Sequence, residues 1–164
     1  MESTNKKSAR RHGFTLIELA VVCVLIGILA AIAVPMFTRT IPRIKTKAEA
    51  RNILNFIRIA RSRAIAENVQ YGVYFDTNVR TYLLFKDKVD LSLMTYATGD
   101  SVVGTVVNID PSVVLTGVGF ANNCIVMLPT GAASQSGTVG VNSCNTDSPF
   151  TISVLAATGK TKLQ

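Results

Sequence analysis

The chain has 164 residues, with 17 Lys and Arg against 10 Asp and Glu, a formal charge of +7 and a single His. That length allows one compact domain with an appendage, and 48% hydrophobic against 16% charged residues excludes a disordered chain. A mean hydropathy of +0.35 beside so much positive charge implies that the apolar and basic residues occupy separate segments. Residues 1–13 carry +3, residues 14–35 carry −1, residues 36–68 carry +6 and residues 69–164 carry −1.

Lys6, Lys7, Arg10 and Arg11 precede an apolar run from Phe14 to Val34 whose only charged member is Glu18. As a helix the run would be about 30 Å long, enough to cross the hydrocarbon core of a bilayer. Three processing routes fit the pattern. A secretory signal would be cut after Ala31-Ile32-Ala33, an anchor would never be cut, and a short leader would be cut ahead of the run and leave it in place. Glu18 argues against a discarded signal. A carboxylate in an apolar helix costs about 2.5–3.5 kcal/mol at the centre and less toward the ends, so a retained one calls for a partner. Cys23, inside the run, reads as a small apolar side chain.

Beyond Pro35, Ile41, Ile44, Ala48, Ile53, Phe56, Ile57, Ala60 and Ala64 recur mostly at helical steps with Arg and Lys between them. The spacing predicts a long helix from Phe14 to Asn68, kinked or locally unwound at Pro35 and Pro42. Its basic residues read as a solvated face in preference to a contact with anionic lipid headgroups, nucleic acid or acidic neighbouring subunits. From Tyr71 the pattern becomes alternating and β-branched. Tyr71–Phe75 and Thr81–Phe85 predict a hairpin, and further strands are expected at Val102–Ile109, Val113–Leu115, Cys124–Leu128, Thr138–Val141 and Phe150–Leu155. The predicted fold class is α+β, a long helix against small antiparallel sheets.

Gly13-Phe14-Thr15-Leu16-Ile17-Glu18-Leu19, following a short basic leader, resembles the processing site of type IV prepilins and type II secretion pseudopilins. The resemblance implies that a prepilin peptidase cuts after Gly13 and methylates the new amino terminus at Phe14. It also implies that Glu18 serves assembly by pairing with the Phe14 amine of a neighbouring subunit. Four divisions follow: a leader (1–13), a membrane and filament-core helix (14–35), an amphipathic stem (36–68) and a β-rich head (69–164). Charge counts on the two flanks of the apolar run do not fix its orientation. The motif does, through its cytoplasmic leader, and puts the head in the periplasm with the helix spanning the inner membrane once.

Leu128-Pro-Thr-Gly-Ala132, Gly137-Thr-Val139 and the ending Thr158-Gly-Lys-Thr-Lys162 resemble FimT/GspH-like minor pilins and pseudopilins. That branch implies a low-abundance subunit of an assembly-priming tip complex, destined for a pilus or a secretion pseudopilus. The implied partners are other major and minor pilins or pseudopilins, an inner-membrane assembly platform, and lipid before assembly. An oxidising periplasm would favour a Cys124–Cys144 disulfide over two free thiols, closing a loop of about 20 residues and contributing about 3 kcal/mol.

Catalysis finds little material. Loss of the leader would remove His12, and with it histidine-based nucleophilic sites and His-ligated metals. Val154 stands where a phosphate-binding loop ending in Gly159-Lys160-Thr161 needs a Gly. No enzyme, cofactor or metal is expected. Some FimT-like pilins take up DNA through a terminal Gly-Arg-x-Arg motif, which Gly159-Lys160-Thr161-Lys162 resembles without the guanidinium groups. Lys160 and Lys162 therefore carry a DNA-binding alternative, against a favoured reading as two solvated lysines on a terminal strand.

Overall fold

The structure is a computed structural model that describes residues 14–89, 91–145 and 149–164. The leader, with Gly13 and His12, lies outside the described residues. The first element is the helix α1, Leu16–Glu67. Its start is set by Thr15, which takes the N-cap position and accepts the amide of Glu18 on Oγ1 at 3.3 Å. Its end is set by Asn68, in the left-handed region at φ +54. There the amide of Val69 donates to the carbonyl of Ala64 at 3.3 Å, the 6→1 bond of a Schellman stop.

Pro35 and Pro42 do not interrupt α1, contrary to the expected unwinding. Two threonine hydroxyls bond back to the carbonyls of the prolines themselves, without replacing the amides that Pro35 and Pro42 lack. Thr38 Oγ1 donates to the Pro35 carbonyl at 3.1 Å and Thr46 Oγ1 to the Pro42 carbonyl at 2.9 Å.

The chain divides into two compact units at Thr38 and Arg39. In the first, apolar side chains including Phe14, Leu16, Leu29 and Phe37 are exposed around the helix, as a segment meant for a surrounding apolar medium would have them. In the second, Ala50, Ile53, Ile57, Ala60 and Ala64 form a fully buried stripe at alternating steps of three and four. Ile41, Ile44 and Ala48, expected on that stripe, are exposed. Thr46 and Glu49 occupy the buried positions there instead.

The hairpin is as predicted: β1 (Tyr71–Asp76) pairs with β2 (Thr81–Lys86) in the register Tyr71↔Lys86 to Asp76↔Thr81. The expected strand at 102–109 is two short pieces, β3 (Ser101–Val102) and β4 (Val107–Asn108), both paired with β2. Gly104, at φ +83, turns the chain between them. Next comes β5 (Val113–Val118), and then β6 (Cys124–Met127) returns to pair with β1. β7 (Gly137–Ser143), β8 (Phe150–Leu155) and β9 (Lys160–Leu163) complete the second antiparallel sheet, in the order β5-β7-β8-β9. β8 and β9 form a hairpin across the turn Ala156–Gly159, so the tail is a paired edge strand.

Period-two alternation sends Val73, Phe75, Ile125, Met127, Val139, Val141, Ile152 and Val154 into one core with the helical stripe. The opposite face of the first sheet holds a smaller cluster of Leu83, Phe85, Cys124 and Val126, covered by Tyr74, Met94 and Tyr96.

Candidate functional site

Thr15-Leu16-Ile17-Glu18 has the spacing of a capping box, with Glu18 in the first turn of α1, where the helix dipole favours an acid. Phe14 is exposed immediately ahead of the cap. The fold therefore puts the carboxylate of Glu18 about one turn from the expected new terminus, on a helix whose other first-turn side chains are apolar. α1 is long and apolar enough to cross a membrane by length and composition.

The expected Cys124–Cys144 bridge is not present: both thiols are free. The physical reason lies in sheet alternation. Cys124 opens β6 and faces the smaller cluster of the first sheet, while Cys144 follows β7 of the second sheet and is exposed, its Sγ 3.5 Å from the Pro111 carbonyl. Burial pushes the Cys124 thiol up to about 12, which keeps it protonated and unreactive.

The two loops singled out in the head meet at one place. Leu128–Ala132 forms a tight turn, with the Gly131 amide donating to the Leu128 carbonyl at 2.8 Å and Gly131 at φ +82. Arg61, from α1, donates through Nε to the Gly131 carbonyl at 2.8 Å. Gly159 lies against the same carbonyl, so closely that a Cβ there would collide with it, and its φ is +59. Arg58, one turn earlier on α1, donates through Nε to Thr161 Oγ1 at 3.2 Å. Between α1 and the β8–β9 turn these residues wall a cleft of about 660 Å³, lined by Arg58, Arg61, Ser62, Ile65, Thr158, Gly159, Lys160 and Thr161.

Lys160 and Lys162 are exposed and alternate with Thr161, the residue that meets α1. Lys160 stands on the rim of the cleft and also lines, together with Lys162, Ser153 and Leu155, a separate shallow depression. The two lysines thus share that depression, and no aromatic ring lines either hollow. The sequence counted Arg58 and Arg61 only as part of a solvated stem face. The signal that could have marked them is the pair of Thr-Gly turns, Thr130-Gly131 and Thr158-Gly159, each of which requires a backbone close to another chain segment. Among the described residues, no group of three or more His, Cys, Asp or Glu is placed to hold a metal.

Comparison with known proteins agrees with this geometry. Residues 8–34 match the prokaryotic N-terminal methylation motif, and residues 49–158 match the family described as type II transport protein GspH. The minor pseudopilin EpsH from the type 2 secretion system of Vibrio cholerae superposes with a TM-score of 0.57 at 13% identity, over 73% of this chain and 96% of that one. The type IV minor pilin FimU of Pseudomonas aeruginosa superposes at 0.54 and 9% identity, over 74% and 90%. The type IV major pilin protein PilA of Myxococcus xanthus is 43% identical over 63 residues, which is 38% of this chain and only 28% of that protein's length. A match over most of the chain, carried by the stem and both sheets of the head, makes this protein a member of the GspH family.

Proposed function

We propose that the chain is a minor pilin or pseudopilin, a non-enzymatic subunit that enters a type IV pilus or type II secretion pseudopilus through an assembly-priming tip complex. The observation that carries this reading is the acid of Glu18, whose backbone amide donates to the Thr15 cap, in the first turn of an otherwise apolar, exposed helix, on a chain whose head is of the GspH family. Cleavage between Gly13 and Phe14 by a prepilin peptidase would create an amine beside that carboxylate. An ion in an apolar bundle is stable only when paired, so the Glu18 of an incoming subunit would find its register at the Phe14 amine of a neighbour. Before assembly the same helix would hold the chain in the inner membrane with its head in the periplasm.

Glu18→Ala is expected to be cleaved and methylated like the wild type but to be depleted from sheared filaments, measured by mass spectrometry of the mature terminus and by immunoblot of the filament fraction. A mature terminus at Val34, or normal incorporation of the variant, would overturn the mechanism. DNA uptake is not favoured: the two lysines invoked for it share a shallow hollow that has no aromatic platform for stacking bases.

A further inference from the structure

We infer that the cleft between α1 and the β8–β9 turn receives an acidic side chain from a different subunit of the filament. The inference rests on the assembly reading above and adds the chemistry of one contact. Three cations surround the cleft: Arg58 and Arg61, three residues apart on α1, and Lys160 on the opposite rim. The Nε of each arginine is pinned, one to Thr161 Oγ1 at 3.2 Å and the other to the Gly131 carbonyl at 2.8 Å. Pinning at Nε orders the guanidinium planes while leaving their Nη groups to donate to a planar oxyanion. None of the three cations takes part in the ion pairs formed among the described residues, Lys45–Asp110 and Lys86–Glu67. The hydroxyls of Ser62, Thr158 and Thr161 and the aliphatic wall of Ile65 complete the lining. They suit a side chain with a methylene stem and a charged end.

The occupant is a protein acid because a nucleic acid would find three cations and no aromatic surface on which to stack its bases. It comes from another kind of subunit because the described acids of this head are already engaged. Glu67 is held by Lys86 at 2.7 Å and Asp110 by Lys45 at 3.3 Å. Asp76 accepts the amides of Asn78 and Val79, and Asp100 accepts those of Lys88, Val89 and Ala97. Glu49 and Asp87 are buried. A second copy therefore has no unengaged, exposed acid to offer among the described residues of its head, Asp90 and Asp147 lying outside them, whereas a heterologous subunit with an exposed Asp or Glu fits by charge complementarity.

The test places a benzophenone amino acid at Ser62 of the full-length chain, in cells assembling the filament, and maps the photo-crosslinked peptide. The expected product joins Ser62 to an Asp- or Glu-bearing surface of another filament subunit. Its yield should fall about tenfold in Arg58→Gln/Lys160→Gln, a variant that keeps the Arg61–Gly131 bond, with the thermal midpoint unchanged as the control for folding. Lys162→Gln, outside the cleft, should leave the yield as it is. Crosslinks to nucleic acid, to a second copy, or to a surface without acids would overturn the inference, as would a yield that survives the double variant. Absence of the wild-type chain from the filaments would refute the assembly reading itself, so the two failures are distinguishable.

Discussion

Glu18 and Glu49 lie on the same helix, and their surroundings give them opposite tasks. Glu18 is exposed at the cap, while Glu49 is 8% exposed at the helix–sheet interface. Glu49 Oε1 and the Tyr82 hydroxyl are both buried there without a hydrogen-bond partner of full geometry among the described residues. Burial pushes the Glu49 carboxyl above its ordinary 4.5 and the charge of Asp110 adds to the rise, against weaker pulls from Tyr82 and Asn52. The native state therefore keeps this proton to higher pH than the unfolded chain does. The stability it contributes is complete below about pH 4.5 and is lost as pH rises through the folded value. Asp110 acts in the other direction. The hydroxyl and amide of Ser112, with help from Lys45, hold its carboxyl at about 2, so its contribution is present above 3.8 and is lost as pH falls toward 2. Glu49→Gln is expected to raise the thermal midpoint at pH 7, with the gain shrinking toward pH 4; a gain independent of pH would mean that the Glu49 carboxyl does not titrate in this range. The thiols allow a second check. In the folded chain iodoacetamide should modify Cys144 quickly and leave Cys124 untouched, and equal labelling would contradict the burial of Cys124. Glu18 was legible in the sequence because a lone acid in an apolar run stands out. The free state of Cys124 was not, since the face on which it lies depends on the pairing of β6 with β1.

At the scale of elements, local signals and long-range pairing divide the credit. The first hairpin could be read from its alternation because its partner strand follows within a short turn. The single strand expected at 102–109 failed at Gly104, where a left-handed backbone between two apolar pairs splits the ladder. The role of the tail as β9 depends on β8 and on two glycines that admit Arg61 and the Gly131 carbonyl between loops. Such convergence of residues about 70 to 100 apart has no local periodicity to announce it. It does have a measurable consequence. Gly159→Ala puts a Cβ against the Gly131 carbonyl at a position of positive φ, and is expected to cost about 1–3 kcal/mol. Gly117→Ala, where nothing lies within 4 Å of the added carbon, is the control and should cost little. Thermal unfolding followed by circular dichroism separates the two, and equal losses would mean that the meeting of the two turns does not bear on stability.

At the scale of the molecule, the separation of charge from hydropathy in the sequence becomes a separation of solvents. The first unit exposes Phe14, Leu16, Ile17, Leu25, Ile28, Leu29 and Phe37, a surface that aggregates in water and is at home in lipid or among other such helices. The second unit, Arg39–Gln164, contains the whole buried core, from Ala50 on the stem to Val154 on β8. Its folding energy therefore comes from burial completed within its own residues. Removal of residues 1–38 is expected to leave a soluble fragment that unfolds in a single cooperative thermal transition. Ile57→Ala, which empties a fully buried position of the stripe, should destabilise that fragment by about 2–5 kcal/mol. Ile44→Ala, at an exposed position of the same helix, should change its stability by less than about 0.5 kcal/mol. Calorimetry on the three fragments checks this ordering. A fragment without a cooperative transition would mean that the apolar segment is needed to fold the head. A loss at Ile44 equal to that at Ile57 would mean that the stem packs on the sheets by a different face.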